Sequence, residues 1–287
     1  EPATFSLATR CSTTELLPRR PRLYHGRSDD ASAIIGLVTD RPFLDELAEI
    51  TADAGRLGRL ARTRLVKELK PDGSVVTNGD REVEELLRDR LARLYSAPIW
   101  GEEFGYEAPS VEGQWVVDPI DGTSNYALGS PLWGVSVALV VQGKIVAGCV
   151  ALPDLEEVFI AGEGAGVHLN GTPLDPIPSG RIERHDLVGY CESVARRELG
   201  VPGRQRCTGA FVVEGTWVMT QRFRGMLGIH ERLYDTAACM LMGWELGADV
   251  RYADGRTMDI PALQEDVRIP GPWLIFPANS DFLAHAK

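Results

Sequence analysis

The stretch Trp115-Val116-Val117-Asp118-Pro119-Ile120-Asp121-Gly122-Thr123-Ser124 constrains this chain most. A short apolar run drives a strand into a core and stops against two carboxylates, a glycine and two hydroxyls. Pro119 suits position i+1 of a turn and Asp118 position i, so a β-turn is predicted, its ends within about 7 Å. Both carboxylates then face one spot, where two Mg²⁺ ions about 3.5–4 Å apart could sit, Asp118 bridging them and Asp121 holding one. Gly122 and Thr123 open a helical turn whose free N–H groups and dipole favour a phosphate. Taken alone, Asp-Pro-x-Asp-Gly is more often an ordinary surface turn. Gly101-Glu102-Glu103 shifts the balance, because it ends a second short apolar segment, Ala97-Pro98-Ile99-Trp100. Two acidic strand ends point to carboxylates converging at one edge of a sheet.

A chain of 287 residues can bury a substantial core as one large domain or two modest ones. Its apolar fraction of 44% and charged fraction of 25% are those of a soluble globular protein. The net charge of −11 argues against a nucleic-acid backbone as partner. It leaves a small phosphorylated metabolite open if metal ions supply local positive charge. No apolar run approaches the roughly 18 residues that span a membrane. The five cysteines, Cys11, Cys149, Cys191, Cys207 and Cys239, lack Cys-x-x-Cys or Cys/His ligand spacing, which disfavours zinc. They read as core residues or free thiols of a reducing cytoplasm.

In chain order, residues 1–35 are expected to lie outside the fold as a poorly structured tail (transit peptide, upstream extension or vector-derived leader). Apolar positions from Phe43 to Leu69 predict a long helix, and Lys70–Ser74 a turn. Val75–Thr77 reads as extended, with Asp80 as N-cap of a second helix. Trp133–Val141 and Lys144–Ala151 predict a hairpin across Gln142-Gly143, continued by Val158–Ala161. Gly162-Glu163-Gly164-Ala165-Gly166 leads into a strand rather than a helix, which excludes a dinucleotide loop. The proline-rich Thr172–Gly180 marks a boundary between a metal-binding α+β half, 36–178, and an α/β half, 179–287, that completes the site. Strands are expected at Leu187–Ser193, 247–252 and Trp273–Phe276, and helix or strand over Ala210–Met219. A helix opens at Tyr234-Asp235, and Asn279-Ser280-Asp281 caps a last short one. Asp235 is either an N-cap or a ligand aimed into the cleft.

Together, Gly101-Glu102-Glu103, Asp118-Pro119-Ile120-Asp121-Gly122-Thr123 and Tyr234-Asp235-Thr236-Ala237-Ala238 resemble the inositol monophosphatase-like family of Mg²⁺-dependent phosphatases over roughly residues 45–285. The resemblance implies an alternating α-β-α-β-α layered sandwich, with the site between its halves. It implies Mg²⁺, two or three ions: Glu102, Asp118 and the Ile120 carbonyl on one, Asp118, Asp121 and Asp235 on a second, Glu102 helping a third. It also implies that Thr123, hydrogen-bonded to Asp80, positions the attacking water, that Glu102 takes part in catalysis, and that Asp121, Gly122, Thr123, Ser124 and Ala210 form the phosphate and substrate side. Family members are commonly homodimers. Tyr234 stands where a Trp is commoner, and Phe223–Leu233 lacks the expected acid for ring hydroxyls, His230 and Glu231 being differently spaced. Cys207-Thr208-Gly209-Ala210 matches the substrate-side Gly-Ser-Ala segment only loosely. Glu103-Phe104-Gly105, Asn125-Tyr126, Pro131-Leu132-Trp133 and Tyr234-Asp235 are more similar to the histidinol-phosphatase branch.

The expected activity is thus hydrolysis of a small polar phosphate monoester (histidinol, cyclitol or sugar phosphate) by metal-activated water. The alternative is an inactive relative that regulates partner proteins. A haloacid-dehalogenase reading fails on spacing, since two residues separate the aspartates where that pattern has one.

Overall fold

The computed structural model describes residues 31–280 except 72, 192, 193 and 195–202. Helices α1 (Ala31–Val38), α2 (Arg41–Arg62) and α3 (Asn78–Leu94) precede most of the sheet. Asp40 caps α2 by accepting the Phe43 N–H at 2.8 Å, and Pro42 sits in the first turn, where its missing N–H costs nothing. Phe43, Leu44, Leu47, Ile50, Ala54 and Ala61 form its buried stripe. That stripe ends at Ala61, and so does the helix soon after, at Arg62 rather than Leu69 as the sequence suggested. Beyond it, β1 (Lys67–Leu69) finds backbone partners in β2 (Val75–Thr77), an antiparallel pair joined through Lys70–Ser74.

Two further boundaries are corrected. Helix α1 takes up residues 31–35 of the expected tail, burying Ile34 against the core; residues 1–30 lie outside the described residues. At the start of α3 the N-cap is Thr77, not Asp80. Thr77 Oγ1 accepts the Gly79 N–H at 3.1 Å and Asp80 Oδ2 accepts the Thr77 N–H at 2.8 Å, the reciprocal bonds of a capping box.

A seven-stranded sheet follows, in the order β3-β4-β5-β6-β7-β8-β9. Its members are β3 (Ile99–Gly101), β4 (Gln114–Asp121), β5 (Gly134–Val141), β6 (Lys144–Leu152), β7 (Glu157–Gly162), β8 (Gly166–Leu169) and β9 (Thr172–Pro173). Strand β5 is buried throughout and β6 beyond Lys144, as continuous apolar runs require when both faces are covered. Gln142 and Gly143, at φ 49° and 74°, make the predicted hairpin turn. The glycine loop at 162–166 is another hairpin, Gly162 pairing with Gly166.

The second sheet, of five strands, has the order β11-β10-β12-β14-β13. It comprises β10 (Leu187–Tyr190), β11 (Arg204–Arg206), β12 (Gly225–Ile229), β13 (Ala248–Tyr252) and β14 (Pro272–Pro277). Between the sheets lie α5 (Phe211–Met219) and α6 (Leu233–Glu245), each touching both, with α4 (Thr123–Leu128) and the short α7 (Ile260–Leu263) at the edges. The outer face of the larger sheet is covered by α2 and α3. Helix pair, sheet, helix pair, sheet: four of the five expected alternating layers lie within the described residues. The change of sheet falls between Pro173 and Leu187. The expected helix after Asn279 lies on residues 281–287, outside the described residues.

Candidate metal and phosphate site

Strands β3 and β4 are parallel neighbours, Gly101 opposite Val117, so both acidic ends emerge at one edge, as expected. The predicted turn at Asp118-Pro119 is absent. Residues 118–121 stay in strand β4 as a bulge: Asp118 pairs with Ser136 and Asp121 with Gly134, two residues opposing one. Pro119 has no N–H to complete the ladder, and Asp118 Oδ1 takes the Ile120 N–H at 3.0 Å. The bulge replaces the turn in bringing the two carboxylates to one side.

Asp121 is fixed from across the molecule, its Oδ2 accepting the Val212 N–H of α5 at 2.6 Å. Gly122 follows with φ 83°, the left-handed N-cap of α4. A Cβ there would stand 2.7 Å from that of Ala210, so only glycine allows this approach. Asn125 ties the same helix to the 208 loop, donating to the Leu132 and Thr208 carbonyls at 2.7 and 2.8 Å. Thr123 Oγ1 lies 3.2 Å from Asp80 Oδ1 and 3.0 Å from the Ile120 carbonyl, one of which takes its proton at a time. Asp235 is the third residue of α6 and accepts the Arg232 N–H at 2.7 Å, so it serves the helix start and the cleft together.

Glu102, Asp118, Ile120, Asp121, Gly122, Thr123, Ala210 and Asp235 line one cleft of about 280 Å³. Asp80 stands behind Thr123, fully buried. Ser124 is exposed and outside the lining, because one helical step carries it round the axis from Thr123.

Reading the residues one at a time missed Lys70, Glu84 and Glu214. Lys70 Nζ binds Glu102 at 3.0 Å and Glu103 at 2.6 Å. Glu84, fully buried, accepts the Glu103 and Phe104 N–H groups at 2.7 and 3.2 Å and pairs with Arg88, so it anchors the loop that carries Glu102. Glu214, Glu231 and His230 also line the cleft. A lone acid inside the apolar run 210–219 was the one signal for Glu214 in the sequence.

Electrostatics mark the spot. Burial, then Glu102, Asp121 and Asp235, hold the Asp118 carboxyl well above the usual carboxylate range. Asp235 is raised likewise by burial and Glu102, against the Arg232 N–H. Asp121 is pushed to about 7 by burial, against the Val212 N–H, with Glu102 adding. Asp80 rises to about 6 through burial, opposed by its bonds to Thr77. Among the described residues no three acidic, His or Cys groups stand close enough together to hold an ion as placed, so these carboxylates would have to draw together on binding one. The donor set is all oxygen and concentrates negative charge that a hard divalent cation relieves, which fits Mg²⁺.

The folded protein without ions binds protons on these carboxyls more tightly than the unfolded chain, so stability falls as pH rises from the ordinary 3.8 towards about 7, the value at Asp121. Scanning calorimetry at pH 5 and pH 8 is expected to show a larger rise in Tm on adding Mg²⁺ at pH 8; equal rises would contradict this.

The family profile described as "Inositol monophosphatase family" matches residues 42–275. A histidinol-phosphatase of Chlorobaculum parvum is 39% identical over 137 residues, 46% of this chain and 52% of the relative, so the match spans about half that protein's length. An inositol-1-monophosphatase of Mesorhizobium japonicum is 32% identical over 205 residues, covering 65% of this chain and 75% of the relative. Among solved structures, an IMPase of Thermotoga maritima superposes with a TM-score of 0.71 at 23% identity, covering 84% of this chain and 93% of that one. With the profile covering most of the chain and the same layered fold in that structure, the chain belongs to the inositol monophosphatase family.

Proposed function

We propose that this phosphatase is a Mg²⁺-dependent phosphomonoesterase acting on a small polar phosphate monoester. The observation that carries the reading is the convergence of Glu102, Asp118, Asp121 and Asp235 on one cleft beside Gly122 and Thr123. Glu102, Asp118 and the Ile120 carbonyl would hold one ion, and Asp118, Asp121 and Asp235 another. When bound, the ions neutralise charge on the phosphoryl oxygens and make water more acidic.

The chain's own groups do the rest. The Gly122 and Thr123 N–H groups lie at the start of α4, where they suit phosphate oxygens. Asp80 Oδ2 is engaged by Thr77, which leaves Oδ1 for Thr123 Oγ1. Thr123 can therefore accept a water proton while passing its own towards Asp80, and a carboxyl near 6 is well matched to that exchange at neutral pH. The attacking water oxygen is thereby oriented at phosphorus, with no covalent phosphoenzyme required.

The branch-like residues Glu103-Phe104-Gly105 and Tyr234-Asp235, and the similarity to a histidinol-phosphatase, put histidinol phosphate first in a test panel. Inositol 1-phosphate, fructose 1,6-bisphosphate, adenosine 3′,5′-bisphosphate and sugar phosphates complete it. Phosphate release from at least one member is expected with Mg²⁺ and is expected to vanish in EDTA. Release that persists undiminished in EDTA would contradict the metal-dependent reading.

A further inference from the structure

Strand β5 runs Gly-Val-Ser-Val-Ala-Leu-Val-Val, and Ser136 is its one polar side chain. The residue is fully buried, and its Oγ has no hydrogen-bond partner among the described residues. A serine in a helix can satisfy itself on a carbonyl one turn back. That route is closed here, because β5 is paired on both sides, to β4 and β6, and its carbonyls serve those ladders. A hydroxyl buried without a partner costs free energy and calls for an explanation.

The register points to Asp118. Ser136 stands directly opposite it, the last regular pair before the bulge in β4. Opposite residues of an antiparallel pair project from the same face, with Cβ atoms about 4.5–5.5 Å apart. The neighbours fix which face: Val116, Ala138 and Val150 belong to the core packed on α5 and α6. Helix α6 presses on that face, since a Cβ at Gly148 would stand 2.9 Å from Ala238 Cα. Asp118, also buried, accepts one hydrogen bond among the described residues, from the Ile120 N–H on Oδ1. On the other flank of Ser136 stands Val150, whose side chain offers no acceptor.

We propose that Ser136 is a positioning residue for the metal site: with an ion in the cleft, its hydroxyl donates to the Asp118 carboxylate and holds it in the orientation the ion needs. The inference rests on the metal-dependent reading above. The carboxylates have to draw together to hold an ion, and a charged acceptor beside an idle hydroxyl makes a short, strong hydrogen bond. Ligating carboxylates are oriented by such outer bonds, and losing one costs roughly 10–100-fold in metal affinity. Ser136 is not among the residues lining the cleft, so it acts through Asp118 and not on the substrate.

The test compares the whole wild-type protein with Ser136→Ala by titration calorimetry with Mg²⁺ and by thermal unfolding in EDTA, both at pH 8. The variant is expected to bind Mg²⁺ with a Kd raised by about tenfold or more. In EDTA it is expected to melt no lower than wild type, because the hydroxyl it loses is unpaired without the ion. A purely structural serine would give the opposite pair of results, a lower Tm in EDTA and an unchanged Kd. A folded variant with the wild-type Kd overturns the inference whatever its Tm. Should Ser136→Ala melt lower in EDTA or fail to fold, a crystal of the wild-type protein loaded with Mn²⁺ decides. Ser136 Oγ about 2.7 Å from an Asp118 oxygen supports the inference, and Oγ bonded to a water or a carbonyl instead overturns it. Wild-type protein that binds no Mg²⁺ removes the metal-dependent reading, and the inference with it.

Discussion

Asp118→Asn is expected to lower kcat for phosphate release by on the order of a thousandfold, because losing metal-borne charge stabilisation costs several kcal/mol and each 1.36 kcal/mol is tenfold. Asp118 occupies the bulge of β4, and its pKa is raised by burial and then by Glu102, Asp121 and Asp235, which places it among the acidic groups of the cleft. Asparagine keeps the shape and an acceptor for the Ile120 N–H while removing one negative charge. The loss should therefore come with weaker Mg²⁺ binding and not with unfolding. In EDTA at pH 8 the variant is expected to melt no lower than the wild-type protein, since a strained buried charge has gone. Kinetics and thermal unfolding of the same preparation check both parts. Wild-type turnover in a folded Asp118→Asn protein would remove Asp118 from the mechanism.

Glu84→Ala is expected to destabilise the fold by roughly 3 kcal/mol, the scale for removing one partner of a buried ion pair. Glu84 is fully buried, accepts two N–H groups of the loop after β3 and pairs with Arg88 at 2.9 Å. Its carboxylate lies so close to Gly101 that a Cβ there would stand 2.0 Å from Oε1. Truncation strands two N–H groups and leaves Arg88 with Glu107 and the Ile99 and Gly105 carbonyls. Tm should drop by on the order of 5–10 °C. Phosphate release should fall as well, because Glu102 loses the anchor of its loop. A variant melting within a degree of wild type would show that the loop is held otherwise.

How far the fold could be read from the residues depended on how local its causes are. The β5–β6 hairpin and the glycine turn at 162–166 rest on short-range chemistry, and the structure has them. Asp118-Pro119 was misread as a turn because proline's preference for turns is local, whereas the pairing with Ser136 and Gly134 that keeps β4 extended comes from a strand more than ten residues away. The same limit applies to α2, where partly buried Leu65 carried the helical pattern past a stop decided by the β1–β2 pairing. Strand β12, with two glycines in Gly225–Ile229, gave no alternation to read and is a strand because it lies between β10 and β14. In the site, the carboxylates at strand and helix ends were visible as interruptions of apolar runs. Glu84 and Lys70 were not, since what they do depends on neighbours brought by the fold.

Whether Glu102, Asp118, Asp121 and Asp235 hold the divalent ions is decided by a crystal of the protein grown with Mn²⁺ in place of Mg²⁺ and measured for anomalous scattering. Peaks bounded by these four carboxylates and the Ile120 carbonyl are the predicted result. A protein that binds Mn²⁺ elsewhere, with no anomalous peak in this cleft, would contradict the account.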